Sequence, residues 1–286
     1  MFFEGLFGIT YADAMPEYPE FPIIDYAAQA EGTVRVMSFN VRCRDVNGTP
    51  ASSRRLVVAE EVLRVAPDSV GVQEATPEWM ASLRFNLSGY SSVGVGREGE
   101  NKGEYSAIFY KNSKWKLVDS GTFWLSETPD TVSQDWDAAC LRICTWAVLQ
   151  NRQTGEKYVH VNSHFDHISS LARENSAKLV CDYICKNFEG MPVMFTADLN
   201  SRPSDEAYRT MTGLLTDCRF ISENCEFYGT FHNCSPETHA DYIIDYVLCT
   251  PGVQVKDFRT VTTGIGGRFV SDHFPIYADI VLPSAQ

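Results

Sequence analysis

Thr196-Ala-Asp-Leu-Asn-Ser-Arg-Pro203 decides how the chain is read. It follows an apolar run, Pro192 to Phe195, that predicts the end of a buried strand, and it closes in a polar turn. Asp198 and Asn200 leave that strand tip together. A carboxylate and an amide at the end of a buried strand are costly to hold without partners. Such positions usually carry chemistry in layered α/β folds. The other polar residues at strand ends are therefore candidates to converge on this pair.

Upstream, Thr33 to Val41 predicts a strand ending on Asn40. Ser52 or Ser53 is expected to cap a helix with an apolar face of Leu56, Ala59, Val62, Leu63 and Ala66, stopped by Pro67. Asp68 to Glu74 follows as a short buried strand. Strand, helix, strand implies a parallel crossover that brings Asn40 and Glu74 to one sheet edge. Pro77 to Leu87 reads as a helix, and Tyr105–Tyr110 and Trp115–Thr122 as antiparallel strands joined at Lys111-Asn-Ser. Phe123 to Asp137 reads as a polar surface loop.

Arg142–Gln150 and Lys157–His164 predict a hairpin around Thr154-Gly155, with Tyr158, His160, Asn162 and His164 on one face. Ile168 to Phe188 has helical periodicity and is closed by Gly190. Beyond Pro203 come a helix to about Leu215, a loop with Tyr228-Gly-Thr-Phe-His232, a strand Tyr242–Cys249 and final strands Val255–Thr262 and Phe274–Leu282. Asp245 shares a face with Ile243 and Val247, so its carboxylate needs a donor. The expected fold is a four-layer α/β sandwich of two mainly antiparallel sheets flanked by helices, in one catalytic domain over 31–286. Residues 1–30, rich in Pro, Glu, Asp and aromatics, read as an irregular lead-in laid across the domain by its aromatic side chains.

Composition narrows the function. The chain has 286 residues and a formal charge of −13, which disfavours long polyanions and suits a small phosphate ester or a cation-dependent site. The apolar start, Met1-Phe-Phe-Glu-Gly-Leu-Phe, has no basic flank, which argues against a secretory signal. No apolar run is long enough to span a bilayer. The nine cysteines form no CxxC pair, and Cys218, Cys225, His232, Cys234 and His239 fit no common zinc spacing. Reduced thiols in a cytoplasmic protein are the expectation, with no membrane and no obligate protein partner.

The strand-end set is Asn40, Glu74, His164, Asp198, Asn200, Asp245, Asp272 and His273. Any one of them alone is more often solvated or structural. Together they offer a hard-cation ligand, a water-positioning carboxylate and donors for phosphate oxygens, the requirements of metal-assisted phosphoryl transfer to water.

Ser38-Phe-Asn-Val41, Gln73-Glu74, Asn162-Ser-His164, Asp198-Leu-Asn200, Ile244-Asp-Tyr246 and Ser271-Asp-His-Phe-Pro275 stand in the order of the endonuclease/exonuclease/phosphatase superfamily. The chain resembles that deoxyribonuclease-like group over about residues 33–283. It looks most like an uncharacterised bacterial branch near the deadenylase-type members. The local marks of that branch are Gly103-Glu-Tyr-Ser-Ala-Ile-Phe109 and Trp124-Leu-Ser-Glu-Thr-Pro129.

The resemblance implies roles residue by residue. Glu74 would hold a divalent cation, Mg²⁺ or Mn²⁺, with Asn40 touching cation or phosphate and Asp272 nearby. Asp198 would orient and deprotonate the attacking water. Asn200 and His164 would donate to phosphoryl oxygens, His273 would be the catalytic histidine and Asp245 would orient it. Glu104 aligns with an acid that supports the His164 position. Ala197 stands where the group usually has glycine, so the turn must avoid positive φ there.

Arg142, Arg97, His232, Trp136, Asp137, Asp166 and His167 are candidate substrate contacts, weighed evenly against ordinary packing. The leading expectation is a phosphoesterase acting on a small or soluble phosphate mono- or diester. The competing ones are a nuclease taking a nucleotide or oligonucleotide with the same core, and a silent binding module.

Overall fold

A computed structural model describes residues 22–46, 48–234, 241–264 and 269–283. In chain order the first elements are β1 (Val34–Asn40), α1 (Ala51–Val65), β2 (Ser69–Ala75), α2 (Pro77–Asn86), β3 (Tyr90–Val93), β4 (Tyr105–Lys111) and β5 (Trp115–Trp124). Then come β6 (Ile143–Asn151), β7 (Lys157–His164), α3 (Ser170–Asn187), β8 (Val193–Asp198), α4 (Glu206–Leu214), β9 (Thr216–Asp217) and α5 (Cys218–Ile221). The last are β10 (Ser222–Glu226), β11 (Asp245–Cys249), β12 (Gln254–Thr260) and β13 (Ile276–Val281).

The strands make a seven-stranded sheet, β10-β12-β13-β1-β2-β4-β3, and a six-stranded sheet, β5-β6-β7-β8-β11-β9. Alternation along β1 shows why they stack. Val34 and Val36 point to the inter-sheet core with Met194 and Val247, whereas Met37 and Phe39 point outward to Val58 and Val62 of α1. On the other side, Val161 and Phe195 pack against Val180 and Ile184 of α3 and Met211 of α4. Four layers result, the sandwich expected from the sequence.

Both sheets are mixed rather than uniformly antiparallel. β1 and β2 run parallel, as do β7 and β8. This matters for the site: parallel strands deliver their carboxyl ends to one edge, and antiparallel β11 and β13 bring their amino ends to the same edge. Asn40, Glu74, His164, Asp198, Asp245 and the 271–275 segment gather there for that reason.

Near this edge the inter-sheet layer turns polar. His160 lies 2.8 Å from both Ser69 Oγ and Thr196 Oγ1. Asn162 Nδ2 donates to Val72 O at 3.1 Å and Ala107 O at 3.0 Å, while Gln73 Nε2 donates to Asn162 Oδ1 at 2.7 Å. Gly71 admits this layer, because a Cβ there would stand 2.1 Å from Thr196 Oγ1 and 2.5 Å from Asn162 Oδ1.

Several expectations change. The strands around Lys111-Asn-Ser do not pair: β4 bonds β2 and β3, while β5 bonds β6 in the other sheet. The short connection is a crossing between layers. α1 is turned relative to its predicted face, with Leu56 and Leu63 exposed and Arg54 and Glu61 buried. Pro50, not Ser52 or Ser53, holds the N-cap position, and Asp45 Oδ1 accepts the Ala51 N–H at 2.9 Å. Residues 22–30 do lie along the domain, but backbone bonds dominate: Ile24 N donates to Thr262 Oγ1 and Ala27 N to Tyr277 Oη, each at 2.9 Å. Residues 1–21 and His239 fall outside the described residues. No described helix is long and apolar enough to cross a membrane.

Candidate active site

The two sheets meet over Asn40. Its buried amide Nδ2 donates to Glu74 Oε1 at 3.1 Å and to Asp198 Oδ2 at 2.9 Å, linking β2 of one sheet to β8 of the other. Glu74 sits at a break in the β2–β4 register with φ of 61°, a costly conformation for a non-glycine residue. That conformation aims its second oxygen, Oε2, at the N–H of Cys43, which donates at 3.0 Å. Against the cost of burial, this N–H, the Cys43 side chain, His273 and Asn40 hold the Glu74 carboxyl below its ordinary range.

Asp198 leaves β8 with Oδ1 accepting the Asn200 N–H at 2.9 Å. Asn200 is the left-handed residue of this turn, φ 46°, while Ala197 stays paired in the strand. Asn200 Nδ2 donates to Phe165 O and to His164 Nε2, each at 3.0 Å. Burial, then the Arg142, His273, Arg97 and His167 charges, depress His164 well below its ordinary pKa, so it is neutral. Burial and the nearby Asp245 charge push Asp198 up to about 7, with His273 and Asn40 opposing them.

His273 lies between carboxylates. Its Nδ1 is 2.9 Å from Asp245 Oδ2, and its Nε2 is 3.8 Å from Asp198 Oδ2 and 4.0 Å from Asp272 Oδ1. Burial disfavours its charge, but Asp245 foremost, then Asp198 and Asp272, outweigh burial and raise it to about 10. Asp245 Oδ1 is buried without a hydrogen-bond partner. Asp272 Oδ2 lies 3.4 Å from Arg42 Nε, and Ser271 Oγ donates to Asn40 O at 2.7 Å, tying this segment to the tip of β1.

The donor set suits a hard divalent cation. Glu74, Asp198, Asp245 and Asp272 crowd one edge, with an orphaned buried oxygen and a carboxyl held up near neutrality; a cation relieves both. Asp198, Asp245 and His273 offer ligand atoms within 4.8 Å of one another. His273 Nδ1 is already committed to Asp245, and an imidazolium nitrogen cannot ligate. Carboxylate oxygens of Glu74 and Asp198, with Asp272 beside them, are the better donors.

Other expected residues stand elsewhere. Glu104 pairs with Arg97 at 2.9 Å rather than with His164, although all three line one small cleft. Arg142, 6% exposed, lines the same cleft. His232 does not face a substrate: it is buried, its ring packed 4.2 Å from Phe269 and 4.4 Å from Phe274, and burial drives its pKa down to about 3. Trp136 and Asp137 both have φ of 58°, and Ser169 Oγ holds the Trp136 carbonyl at 2.8 Å.

Residues without a distinctive motif complete the site. Cys43 caps Glu74, and the Phe231 ring lies 4.8 Å from His273. Thr230 Oγ1 accepts the N–H groups of Ile244 and Asp245 at 3.1 Å. Only their nearness to Asn40 and His232 in the sequence could have signalled them.

A two-sheet sandwich with carboxylates, amides and histidines at its joined strand ends defines a hydrolase of phosphate ester bonds. The chain belongs to the Endonuclease/Exonuclease/phosphatase family, whose profile matches residues 37–273. It is 33% identical to an endonuclease/exonuclease/phosphatase from Bacteroides vulgatus, covering 88% of this chain and 99% of that one, with a TM-score of 0.82. It is also 33% identical to the mannosyl-6-phosphatase of Bacteroides thetaiotaomicron, covering 87% and 100%, with a TM-score of 0.81. A curated relative, the uncharacterized protein R895 of Acanthamoeba polyphaga mimivirus, is 26% identical over 145 residues, 43% of this chain and 21% of that protein's length.

Proposed function

We propose that the protein hydrolyses a small, soluble phosphate mono- or diester with Mg²⁺ or Mn²⁺, by in-line attack of water. The observation that carries this reading is Asn40 bridging Glu74 and Asp198 while His273, backed by Asp245, faces the same Asp198 oxygen. Glu74 and Asp198, with Asp272 beside them, would hold the cation, which would supply positive charge to the phosphoryl oxygens. His273 donates to those oxygens, Asn200 Nδ2 holds His164 so that it offers its remaining N–H, and Asp198 takes the water's proton. The water oxygen bonds phosphorus as the ester P–O bond breaks, and the departing alkoxide is protonated by solvent.

Arg142 contacts the substrate in this reading, and a cytoplasmic location belongs to it as well. The likeness to the mannosyl-6-phosphatase supports a sugar phosphomonoester as the first candidate. The test is a panel of phosphomonoesters, diesters and short oligonucleotides with Mg²⁺ and Mn²⁺, against Asp198→Asn. Turnover of small esters that the variant lacks supports the reading. Preference for oligonucleotides would make it a nuclease, and no metal-dependent turnover of any ester would leave a binding module.

A further inference from the structure

Four arginines are buried among the described residues, and three of them are anchored on an acid or on several backbone carbonyls, although Arg54 Nε is itself without a partner. Arg35 grips both oxygens of Asp279 at 2.7 Å and donates to Ala27 O and Val65 O. Arg54 donates to the carbonyls of Val41, Val270, Arg42 and Arg44. Arg219 holds Asp217 through Nε and Nη2. Arg142 differs. Its one hydrogen bond goes to the neutral ring of His167, Nη2 to Nδ1 at 3.0 Å, and its buried Nε has no acceptor.

The nearest acid, Asp166, stands 3.6 Å from that Nε. Its oxygens are already taken by the N–H groups of Ile168, Ser169 and Ala139 at 2.9, 2.8 and 3.0 Å. Asp166 thus ties helix α3 to the loop after β5 and neutralises Arg142 only partly. A buried guanidinium left with spare donors is costly unless something completes it.

What faces the guanidinium is a narrow cleft, lined also by Arg97, Glu104, Ser106, Leu141 and His164. His164 Nε2 lies 3.4 Å from Asp198 Oδ2, so the cleft adjoins the reacting centre with one side chain between. Around the scissile phosphate, His164 and His273 would supply donors and a cation held by Glu74 and Asp198 would supply charge. Arg142 and Arg97 are surplus to that group, yet they point positive charge at its neighbour in a chain of net charge −13. Glu104 offsets Arg97, with which it pairs at 2.9 Å, and leaves Arg142 as the less compensated of the two.

We infer that Arg142, flanked by Arg97 and His167, forms a subsite for a second oxyanion. The substrate is then a phosphate ester whose leaving portion carries a further phosphate or carboxylate. This rests on the phosphoesterase reading, and binding measurements separate the two. The probes are ethylphosphonate, phosphonoacetate and propane-1,3-bisphosphonate, none of which can be hydrolysed, titrated calorimetrically into the Mg²⁺-loaded full chain.

The wild type should bind a two-anion probe roughly tenfold tighter than ethylphosphonate, the gain of one good charge-assisted contact. Arg142→Met and Arg97→Met should each shrink that ratio, and Arg142→Lys should keep part of it. The better of the two-anion probes identifies the second group as phosphate or carboxylate. A wild-type ratio near one, or a ratio that survives Arg142→Met, overturns the subsite. So does an equal loss for ethylphosphonate, which would assign Arg142 to the scissile group. If Arg142→Met fails to fold by thermal melt, Arg97→Met decides. A chain that turns over no ester yet shows the Arg142-dependent ratio loses its enzymatic reading and keeps the subsite.

Discussion

Replacing Asn40 by alanine removes the one amide that holds the two sheets' carboxylates together. Its Nδ2 bonds Glu74 at 3.1 Å and Asp198 at 2.9 Å from a fully buried position. A hydrogen bond to a charged group contributes about 1.5–3 kcal/mol, so the gross loss is about 3–6 kcal/mol. Water entering the space recovers part of it, and a net cost of about 3–4 kcal/mol is expected at about pH 8.5. The cost should vary with pH. Asp198, raised to about 7, is protonated near pH 5, where Asn40 meets a neutral carboxyl. A neutral hydrogen bond contributes only about 1 kcal/mol, so the penalty should shrink by about 1–2 kcal/mol on acidification.

The sign follows from proton uptake. Without Asn40 the folded protein holds the Asp198 proton to higher pH, and it loses stability relative to the wild type as pH rises. Urea unfolding of both proteins at the two pH values measures this. Saturating Mg²⁺ should restore part of the alkaline loss by neutralising the same carboxylates. A penalty under about 0.5 kcal/mol, the size of an ordinary surface substitution, or one independent of pH, would refute the reasoning.

Asp245→Asn should lower the His273 pKa from about 10 towards neutrality, because burial then acts with one supporting charge fewer. Its kcat/KM at about pH 8.5 should fall roughly tenfold further than at about pH 6, an alkaline loss the wild type lacks in a pH–rate profile. The stability that wild-type His273 provides is fully present below its unfolded value, declines as pH rises from there, and is gone above about 10. Gly71→Ala places a methyl 2.1 Å from Thr196 Oγ1 and should break the polar layer beneath Gln73. Chemical denaturation should show a loss of about 2–4 kcal/mol from overpacking and unmade hydrogen bonds. A loss under about 0.5 kcal/mol would mean that the sheets part easily there.

The sandwich was legible because its central strands alternate cleanly and its helices carry 3.6-residue periodicity. The pairing across layers was not. Tyr105–Tyr110 and Trp115–Thr122 look like a hairpin locally, and only packing shows that the chain changes sheet between them. The α1 face was misjudged because Arg54 is buried by carbonyls outside the helix, including Val270 O, and Glu61 by Arg64 one turn on, which itself reaches the distant Thr263. At the site, residues that end predicted strands were readable, and the structure brings Asn40, Glu74, His164, Asp198, Asn200, Asp245, Asp272 and His273 to one edge. Glu104 and His232 were not, because their partners Arg97, Phe269 and Phe274 carry no signature in the sequence. The left-handed backbone at Glu74 was equally invisible, since nothing in Gln73-Glu74 demands it.

The most direct test is single-turnover hydrolysis of a sugar phosphomonoester during a Mg²⁺ titration, with wild type and Asp198→Asn compared at matched thermal stability. The account predicts saturable Mg²⁺-dependent cleavage that the variant loses by roughly a thousandfold, the scale of removing a general base. Cleavage that ignores Mg²⁺, or that persists undiminished without the Asp198 carboxylate, would contradict it.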